Sequence, residues 1–121
     1  ISIIAHGKAV HTALEVAEAL SDKHNVTAEV IDLRSIRPLD EATIIASVKK
    51  TNRVLLVEEN KPFCGVDAQI CFLIQDQAFD FLDAPIGRVS SVDAPQAYSK
   101  SLETAQLPGK DKVLKAALKI L

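Results

Sequence analysis

A length of 121 residues and a formal net charge of −2 fit one globular domain with a single core and no strongly charged surface. This near-neutral balance excludes the basic field that attracts nucleic acid, and an aromatic content of 4% argues against base stacking. No run of about 20 apolar residues is present, so the sequence predicts no membrane span.

The first predicted unit is a strand followed by a helix. Apolar and mostly β-branched residues at 1–5 are typical of a buried strand. The turn 6–8 separates this strand from apolar residues at helical spacing between positions 10 and 20, with Leu14 on the predicted buried stripe. Cationic residues followed by Asn25 predict the end of the helix, because asparagine takes the left-handed cap conformation more readily than most residues.

The second unit repeats this arrangement. Residues 27–33, Thr-Ala-Glu-Val-Ile-Asp-Leu, predict a second strand, and Pro38 disfavours helix in the linker that follows. Asp40 is a suitable N-cap residue, because its carboxylate can accept a hydrogen bond from a free N–H of the first turn. The sequence therefore predicts a second helix from Asp40 to about Thr51.

The third unit contains the most apolar strand. Four consecutive aliphatic residues, Val54 to Val57, predict a strand at 53–58 that is covered on both faces, as in a parallel sheet between helix layers. Two glutamates end this strand. A helical pattern then runs from Gly65 to about Leu82, and Phe81 belongs to its predicted buried face.

The last part of the chain carries weaker signals. Residues 86–92 predict a strand nearer the edge of the sheet, and residues 93–109 predict mostly loop, because they contain two prolines, a glycine and no clear period. The final helix is predicted at 111–121, with Leu118 and Leu121 on its apolar side.

The resulting order, in which strands alternate with helices, predicts an α/β fold. Parallel strands joined by right-handed crossovers place helices on both faces of the sheet, which gives three α/β/α layers. No repeat, linker or low-complexity segment divides the chain, so residues 1–121 are predicted to form one domain. The chain contains no methionine and opens directly on a strand, so we expect it to be part of a longer protein.

Two classes of site find no support in the sequence. A phosphate-binding loop requires several closely spaced glycines, whereas each glycine here stands alone. The two cysteines, Cys64 and Cys71, match no zinc or redox spacing. They lie about two helical turns apart, roughly 10 Å, so the sequence predicts free thiols rather than a disulfide.

The charged residues near strand ends remain open to more than one interpretation. Neighbours in a strand point to opposite sides, so Glu58 and Glu59 are not expected to act as a catalytic pair. Arg34 and Arg37 flank the turn before the second helix, where they could bind an anion or form salt bridges with another subunit. The residues alone therefore predict a scaffold, binding or assembly module without a visible active site.

Several blocks of sequence resemble a known family in one register. Residues 28–40, Ala-Glu-Val-Ile-Asp-Leu-Arg-Ser-Ile-Arg-Pro-Leu-Asp, are similar to the second-strand block of the transketolase C-terminal domain. Residues 47–53, the Val-Glu-Glu at 57–59 and the block 78–85 agree with the same family. Within it, the chain most resembles the beta subunits of thiamine-dependent 2-oxo acid dehydrogenases, and Tyr-Ser-Lys-Ser-Leu-Glu at 98–103 is most similar to the pyruvate members.

The sequence departs from the family pattern in two places. Asn60-Lys61 stands where the family usually has Gly-Trp before the proline, and Asp67 stands where a glycine is common. The identity of the 2-oxo acid is therefore left open by the sequence.

The resemblance implies a mostly parallel sheet with the strand order second, first, third, fourth. Chain connections reverse direction between the first and third strands, and a crevice forms at such a switch point. The crevice is expected between residues 6–8 and 58–60, and the candidate regulatory residues are His6, Gly7, Lys8, Glu58, Glu59 and Asn60. The resemblance also implies an antiparallel edge strand upstream of Ile1.

The resemblance implies assembly rather than catalysis for this segment. Thiamine diphosphate and magnesium belong to the whole enzyme and are bound outside this domain, so no catalytic, cofactor-binding or metal residue is assigned. The implied partners are the alpha subunit and a second beta subunit in an α2β2 heterotetramer, together with the acyltransferase core of the complex, in the bacterial cytoplasm or the mitochondrial matrix. Candidate subunit or partner contacts are Arg34, Arg37, Asp111 and Leu121.

A rival hypothesis treats the chain as a self-standing module that binds a small anion or regulatory ligand at the crevice. The two hypotheses differ in what they require of the chain alone, because only the rival predicts ligand binding without other subunits.

Overall fold

A computed structural model describes all residues 1–121 of the chain. Strands and helices alternate until the last part of the chain, where two helices follow one another. None of the helices is both long and apolar enough to cross a membrane. The elements are β1 (Ser2–Ala5), α1 (Ala9–His24), β2 (Glu29–Asp32), α2 (Glu41–Thr51), β3 (Val54–Val57), α3 (Val66–Ala78), a 3₁₀ turn (Phe79–Phe81), β4 (Gly87–Val89), α4 (Lys100–Gln106) and α5 (Lys110–Lys119).

The four strands form one parallel sheet in the order β2-β1-β3-β4, as the resemblance implied. In the centre of the sheet, Ile3 of β1 lies opposite Val30 of β2 and Leu55 of β3. At the carboxyl end, Ala5 lies opposite Val57. β1 and β3 are therefore the interior strands, and the switch point predicted between them is present.

Two aliphatic cores cover the two faces of the sheet. Residues of β3 divide between them, because Leu55 and Val57 point towards one core while Val54 and Leu56 point towards the other. The first core lies under α1 and α5, and the second lies under α2 and α3. All four of these β3 residues are fully buried, which confirms the prediction of a strand covered on both faces. Burial of each such side chain contributes about 1.5–3 kcal/mol.

Side-chain hydroxyls tie the second core to the starts of the strands. Ser2 Oγ of β1 lies 2.6 Å from Ser47 Oγ of α2, and Ser47 in turn donates to Glu29 Oε2 of β2 at 2.6 Å. Lys50 Nζ donates to the other oxygen of Glu29 at 2.9 Å. This chain of contacts satisfies a buried serine and links three elements through one partly exposed carboxylate.

Two of the predicted helix ends agree with the structure. Asp40 caps α2 by accepting a hydrogen bond from the Thr43 backbone N–H at 3.0 Å. Asn25 closes α1 in the left-handed conformation, with φ at 54°, and its N–H is directed at the carbonyls of Leu20 and Ser21. The local chemistry of these caps was sufficient to locate both ends.

The prediction of loop over residues 93–109 was wrong in part, because α4 occupies Lys100–Gln106. Ser99 caps this helix by accepting from the Leu102 N–H at 3.4 Å. None of the α4 residues is buried. The helix therefore has no apolar stripe for a periodicity argument to detect, and its cap was the only signal.

Four side chains predicted on buried faces are exposed instead. Leu14 lies beside the outer strand β2 rather than under the core. α3 ends at Ala78, so Phe81 lies in the 3₁₀ turn and does not continue the buried face of the helix. α5 ends at Lys119, which leaves Leu121 beyond the helix. Their exposed fractions are 52% for Leu14, 42% for Phe81, 40% for Leu118 and 40% for Leu121.

Candidate functional site

The carboxyl ends of β1 and β3 bring the two predicted rims of the crevice together. Because Ala5 pairs with Val57, the residues that follow, His6 and Glu58, are neighbours at this end of the sheet. Gly7 has φ at +59°, a left-handed conformation that glycine adopts without strain, and it turns the chain into α1. Gly7 and Lys8 are exposed, as are Glu59 and Asn60 on the other rim. Four of the six candidate residues therefore face solvent.

Of the other two candidates, His6 is half-buried, and the side chain of Glu58 is fully buried. Arg88 of β4 donates from Nη2 to Glu58 Oε1 at 2.5 Å, and the Ser90 hydroxyl lies 3.5 Å from the same oxygen. The Asp67 backbone N–H, in the first turn of α3, is directed at Glu58 Oε2 at 3.4 Å. Glu58 thus joins β3, α3 and β4 through one carboxylate.

Gly65 leaves room for this ion pair. A Cβ atom at Gly65 would lie 2.1 Å from Glu58 Oε1 and 2.7 Å from Arg88 Nη2. Its φ of −71° is accessible to any residue, so close approach rather than backbone conformation selects glycine here. The turn between β3 and α3 is consequently built around the buried Glu58–Arg88 pair.

Asp67 is a second buried carboxyl beside this pair. Only 1% of the residue is exposed, and neither carboxyl oxygen has a hydrogen-bond partner. Burial, together with the negative charge of Glu58, raises the pKa of Asp67 to about 7, although the Arg88 guanidinium acts in the opposite direction. A carboxyl of this kind takes up or releases a proton near neutral pH without being accessible to a substrate.

The buried side-chain atoms without a partner all belong to three residues near the carboxyl edge of the sheet. They are His6 Nδ1, both Asp67 carboxyl oxygens and Arg88 Nε. No group of three or more His, Cys, Asp or Glu side chains is arranged to hold a metal ion.

Sequence reasoning missed the roles of Asp67 and Arg88. Asp67 was recognised only as a departure from a family glycine, and Arg88 only as one residue of the strand predicted at 86–92. The contact between Glu58 and Arg88 spans 30 positions and depends on the pairing of β3 with β4. The departure at Asp67 was the one available signal of a carboxyl group at the site. An acid in the first turn of a predicted helix lies near the end of the preceding strand, where Glu58 is found.

The two candidate arginines lie in different places. Arg34 follows β2 and forms an ion pair with Asp32, with 2.8 Å between Arg34 Nε and Asp32 Oδ2. It borders a groove of about 560 Å³ that also includes Gly7 and His11. Arg37 instead lines a separate groove with Glu41 and Gln69. The structure thus brings Arg34, but not Arg37, next to the crevice rim at Gly7.

The other two candidate contacts lie at the start of α5 and just beyond its end. Asp111 lies in the first turn of this helix and is exposed, whereas Leu121 follows its last turn. Arg53 Nη1 donates to the backbone oxygens of Ile120 at 2.5 Å and Leu121 at 2.7 Å. Asp111 and Leu121 therefore occupy opposite ends of α5.

Both cysteines are free, as predicted, with Cys64 exposed and Cys71 half-buried.

A second feature at the carboxyl edge is the segment 92–107, which adjoins the rim at Glu59 and Asn60. Ser91 Oγ donates to the Glu59 carbonyl at 2.6 Å, and Lys61 Nζ donates to the Val92 carbonyl at 3.0 Å. The segment itself exposes large apolar side chains. The exposed fractions are 47% for Val92, 104% for Tyr98 and 61% for Leu102.

Comparisons with known proteins agree with this architecture. The family described as transketolase, C-terminal domain, matches residues 1–113. The chain is 49% identical to a fruit-fly (Drosophila melanogaster) protein, pyruvate dehydrogenase E1 component subunit beta, mitochondrial, over 122 aligned positions that cover 100% of the chain and 33% of that protein. It is 42% identical to the acetoin:2,6-dichlorophenolindophenol oxidoreductase subunit beta of Bacillus subtilis, covering 100% of the chain and 35% of that protein.

A solved structure has the same fold. It is titled split gene transketolase, inactive beta4 tetramer, and it matches with a TM-score of 0.82 at 23% identity, covering 99% of the chain and 37% of that structure. The chain thus spans about a third of the length of the relatives that it matches.

Proposed function

Because the chain belongs to the transketolase C-terminal domain family, we propose that it is the subunit-assembly and partner-docking domain of a pyruvate dehydrogenase-type beta subunit. Similarity at 49% identity to a pyruvate dehydrogenase beta subunit supports this assignment. The enzyme as a whole would carry out oxidative decarboxylation of a 2-oxo acid. The acetoin-linked relative at 42% identity is a reason to keep the substrate class broader than pyruvate.

The observation that carries the proposal is the exposure of every aromatic residue. The chain has four phenylalanines, one tyrosine and no tryptophan. Their exposed fractions range from 42% for Phe81 to 104% for Tyr98, while both cores are built from aliphatic residues. Aromatic side chains are enriched in protein interfaces, and a domain that only needed to fold would bury some of them.

The segment 92–107 is the surface that we assign to subunit assembly. It contributes no buried residue from α4, yet it exposes Val92, Tyr98 and Leu102. Backbone contacts fix its shape, since the Gln106 side chain donates to the Pro95 carbonyl at 2.9 Å and accepts from the Ala97 N–H at 3.1 Å. A preorganised apolar surface loses little conformational entropy on association.

Thiamine diphosphate and magnesium are assigned to the rest of the enzyme. In support of this proposal, the turn after β3 is filled by the ion pair of Glu58 with Arg88. The cofactor would supply the electron sink for decarboxylation elsewhere in the assembly. This domain would instead contact the alpha subunit and a second beta subunit in an α2β2 heterotetramer.

Further contacts are proposed for residues at the two ends of α5 and after β2. Asp111 and Leu121 are proposed to contact the acyltransferase core, and Arg34 and Arg37 to form salt bridges between subunits. The Leu121 end is held in place by Arg53, which would fix its position for a partner. The relatives named above come from mitochondria and from a bacterium, so the mitochondrial matrix or the bacterial cytoplasm is the proposed compartment.

An activity measurement tests the assignment of chemistry to the rest of the enzyme. The chain is supplied with thiamine diphosphate, magnesium, pyruvate and an artificial electron acceptor, and reduction of the acceptor is followed. We expect no turnover above the rate without protein. Turnover by the chain alone would contradict an assembly role.

The alternative function is recognition of a small anion at the crevice, and one observation favours it. His6 Nδ1 is buried without a partner beside the exposed Gly7 and Lys8, and Arg34 lies across the groove that includes Gly7. Isothermal titration with phosphate, nucleotides and 2-oxo acids tests this function. A saturable binding heat that is lost in the Lys8→Ala variant would support anion recognition. The absence of binding heat at millimolar ligand would contradict it.

A further inference from the structure

The carboxyl end of the sheet carries a cluster of charged groups beneath the start of α3. Leu56 points towards the core under α3, so Glu58, two positions further along, lies on the same face of the sheet. Arg88 of β4 lies opposite Leu56 in the register and pairs with Glu58. Asp67 covers this pair from the first turn of α3 and is 1% exposed. Two carboxyl groups and one guanidinium, from three elements, therefore meet in a largely buried place.

The number of charges in this cluster depends on one proton. Arg88 donates to Glu58 through Nη2, whereas Arg88 Nε and both carboxyl oxygens of Asp67 have no partner. With a proton on Asp67, the cluster holds one negative and one positive charge. Loss of that proton adds a second buried carboxylate, and the free Nε–H of Arg88 is the donor left to compensate it. Because an unpaired buried charge is costly, the ionised cluster favours a shift of Arg88 towards a position between the two carboxylates.

Both states of the cluster occur near neutral pH. Burial, and then the negative charge of Glu58, raises the pKa of Asp67 to about 7, while the Arg88 guanidinium acts in the opposite direction. His6, which follows β1, is the other titratable residue at this end of the sheet, and its Nδ1 is buried without a partner. Cys64 is exposed just before the helix.

Charged side chains on the neighbouring elements lie away from Asp67. Arg37, before α2, and Glu41, in its first turn, line a groove with Gln69. Gln69 is two positions after Asp67, which places it about 200° around α3, on the opposite side of the helix. The turn after β3 contributes two further charged residues, of which one is exposed and the other donates to a backbone carbonyl, namely Glu59 and Lys61. Asp67 is therefore the group whose proton sets the charge of the cluster.

The end of β4 joins the cluster to the segment 92–107. Residues 89–91 alone separate Arg88 from Val92, where the segment begins. Within this short linker, the Ser90 hydroxyl lies 3.5 Å from a carboxyl oxygen of the cluster. The Val92 N–H donates to the Gln106 carbonyl, near the other end of the segment, at 3.0 Å. A shift of Arg88 therefore reaches both ends of the segment through three residues and one backbone hydrogen bond.

We propose that release of a proton from the cluster of Glu58, Asp67 and Arg88 displaces the segment 92–107 at its Val92 end. The segment keeps its present position while Asp67 is protonated. After deprotonation, Arg88 moves to serve both carboxylates and shifts the end of β4 with it. Control of subunit assembly by pH would follow, and that consequence rests on the proposed function. The displacement of the segment does not depend on it.

NMR of the chain between pH 5 and pH 9 tests this displacement. The carboxyl ¹³C shift of Asp67 follows its proton, and the backbone amide shifts of Ser90, Val92 and Gln106 follow the two ends of the segment. We expect these amides to titrate with the same midpoint as the Asp67 carboxyl, near pH 7. Asp67→Asn and Asp67→Gly should both abolish the transition. Asp76→Asn changes an exposed aspartate of the same helix and should retain it.

Hydrogen exchange at Val92 separates a displacement from a change in the local electric field. The Val92 N–H is bonded to the Gln106 carbonyl, so its exchange is slowed while the segment keeps its present position. We expect the protection factor of this amide to fall about tenfold between pH 6 and pH 8 in the parent chain. It should stay constant in Asp67→Asn.

Three results would overturn the proposal. They are an Asp67 carboxyl that titrates below pH 5, segment amides without a transition at its midpoint, and a Val92 protection factor that does not change with pH. A transition that is kept in Asp67→Asn but lost in His6→Gln would assign the effect to His6 and would also overturn it.

Assembly of the full beta subunit with its alpha subunit distinguishes this control by pH from the function on which it rests. Dissociation constants are measured by analytical ultracentrifugation at pH 6 and pH 8. We expect their ratio, pH 8 over pH 6, to be about fivefold larger for the parent than for Asp67→Asn. Equal ratios would contradict control of assembly by the proton. Unchanged assembly of the variant with Tyr98→Ser and Leu102→Ser would instead contradict the assembly surface itself.

Discussion

The turn after β3 and the segment 92–107 are neighbours at the same edge of the sheet, yet they are built in opposite ways. The turn encloses charge, with Glu58 and Asp67 buried against Arg88. The segment exposes apolar surface at Val92, Tyr98 and Leu102. A buried charge must be paired to persist, and an exposed apolar surface is covered when a partner binds. The contrast indicates that the carboxylates maintain the fold, whereas the segment 92–107 carries the surface that we propose for subunit assembly.

The largest expected effect comes from breaking the buried pair. Arg88→Ala leaves Glu58 buried without its cation, and we expect a loss of about 3–5 kcal/mol in the free energy of unfolding. Arg34→Ala is the control, since it breaks the exposed ion pair with Asp32 and should cost less than about 1 kcal/mol. Urea denaturation measures both. Equal losses would mean that the turn after β3 is no more dependent on its charges than the surface is.

Asp67 provides a test that depends on pH. Its folded-state pKa of about 7 is above the ordinary value of 3.8, so the folded state binds the proton more tightly than the unfolded state. The stability due to this proton is complete below about pH 3.8 and is lost as the pH rises through 7. Asp67→Asn does not titrate, so it should become more stable than the parent chain by about 2–4 kcal/mol as the pH rises from 4 to 8.

Chemical denaturation gives the free energy of unfolding of both proteins across this pH range, and the difference between the two values is followed as a function of pH. Contributions from charged groups distant from Asp67 are the same in both chains and cancel in that difference. A constant difference would show that Asp67 ionises normally and that the turn tolerates a second negative charge.

Glu29 gives the smallest expected effect and serves as the exposed counterpart of Glu58. Hydrogen bonds from Ser47 and then Lys50 lower the pKa of Glu29. A lowered pKa contributes stability above the ordinary value of 4.5, and this contribution is lost as the pH falls below it. Because the side chain is partly solvated, Glu29→Gln should cost less than about 1 kcal/mol at pH 7 and nothing at pH 2.

Thermal unfolding at the two pH values checks this prediction. A loss at pH 7 as large as that of Arg88→Ala would remove the distinction between buried and exposed carboxylates on which the comparison depends.

The fold could be predicted where the sequence carries local or periodic signals. Four aliphatic residues at Val54–Val57 predicted the central strand, and Asp40 and Asn25 predicted helix ends, because caps depend on neighbouring residues. The strand order came from the family resemblance. α4 was missed because it buries nothing, so no apolar period marks it.

The site was less predictable, because it depends on contacts between distant parts of the chain. Glu58 and the rims of the crevice were placed at the correct edge of the sheet, but the burial of Glu58 depends on Arg88 in another strand. The absence of space at Gly65 follows from the same contact. Such pairs become visible only when strand register is known.

The central claim is that the segment 92–107 is a subunit interface. The full beta subunit carrying Tyr98→Ser and Leu102→Ser is mixed with its alpha subunit, and the dissociation constant of the complex is measured by analytical ultracentrifugation. Leu14→Ser is the control, because Leu14 is an exposed leucine outside the segment. Its exposed fraction of 52% is similar to the 61% of Leu102. We expect the double variant to assemble at least about tenfold more weakly while the control assembles normally. Unchanged assembly of a folded double variant would contradict the account.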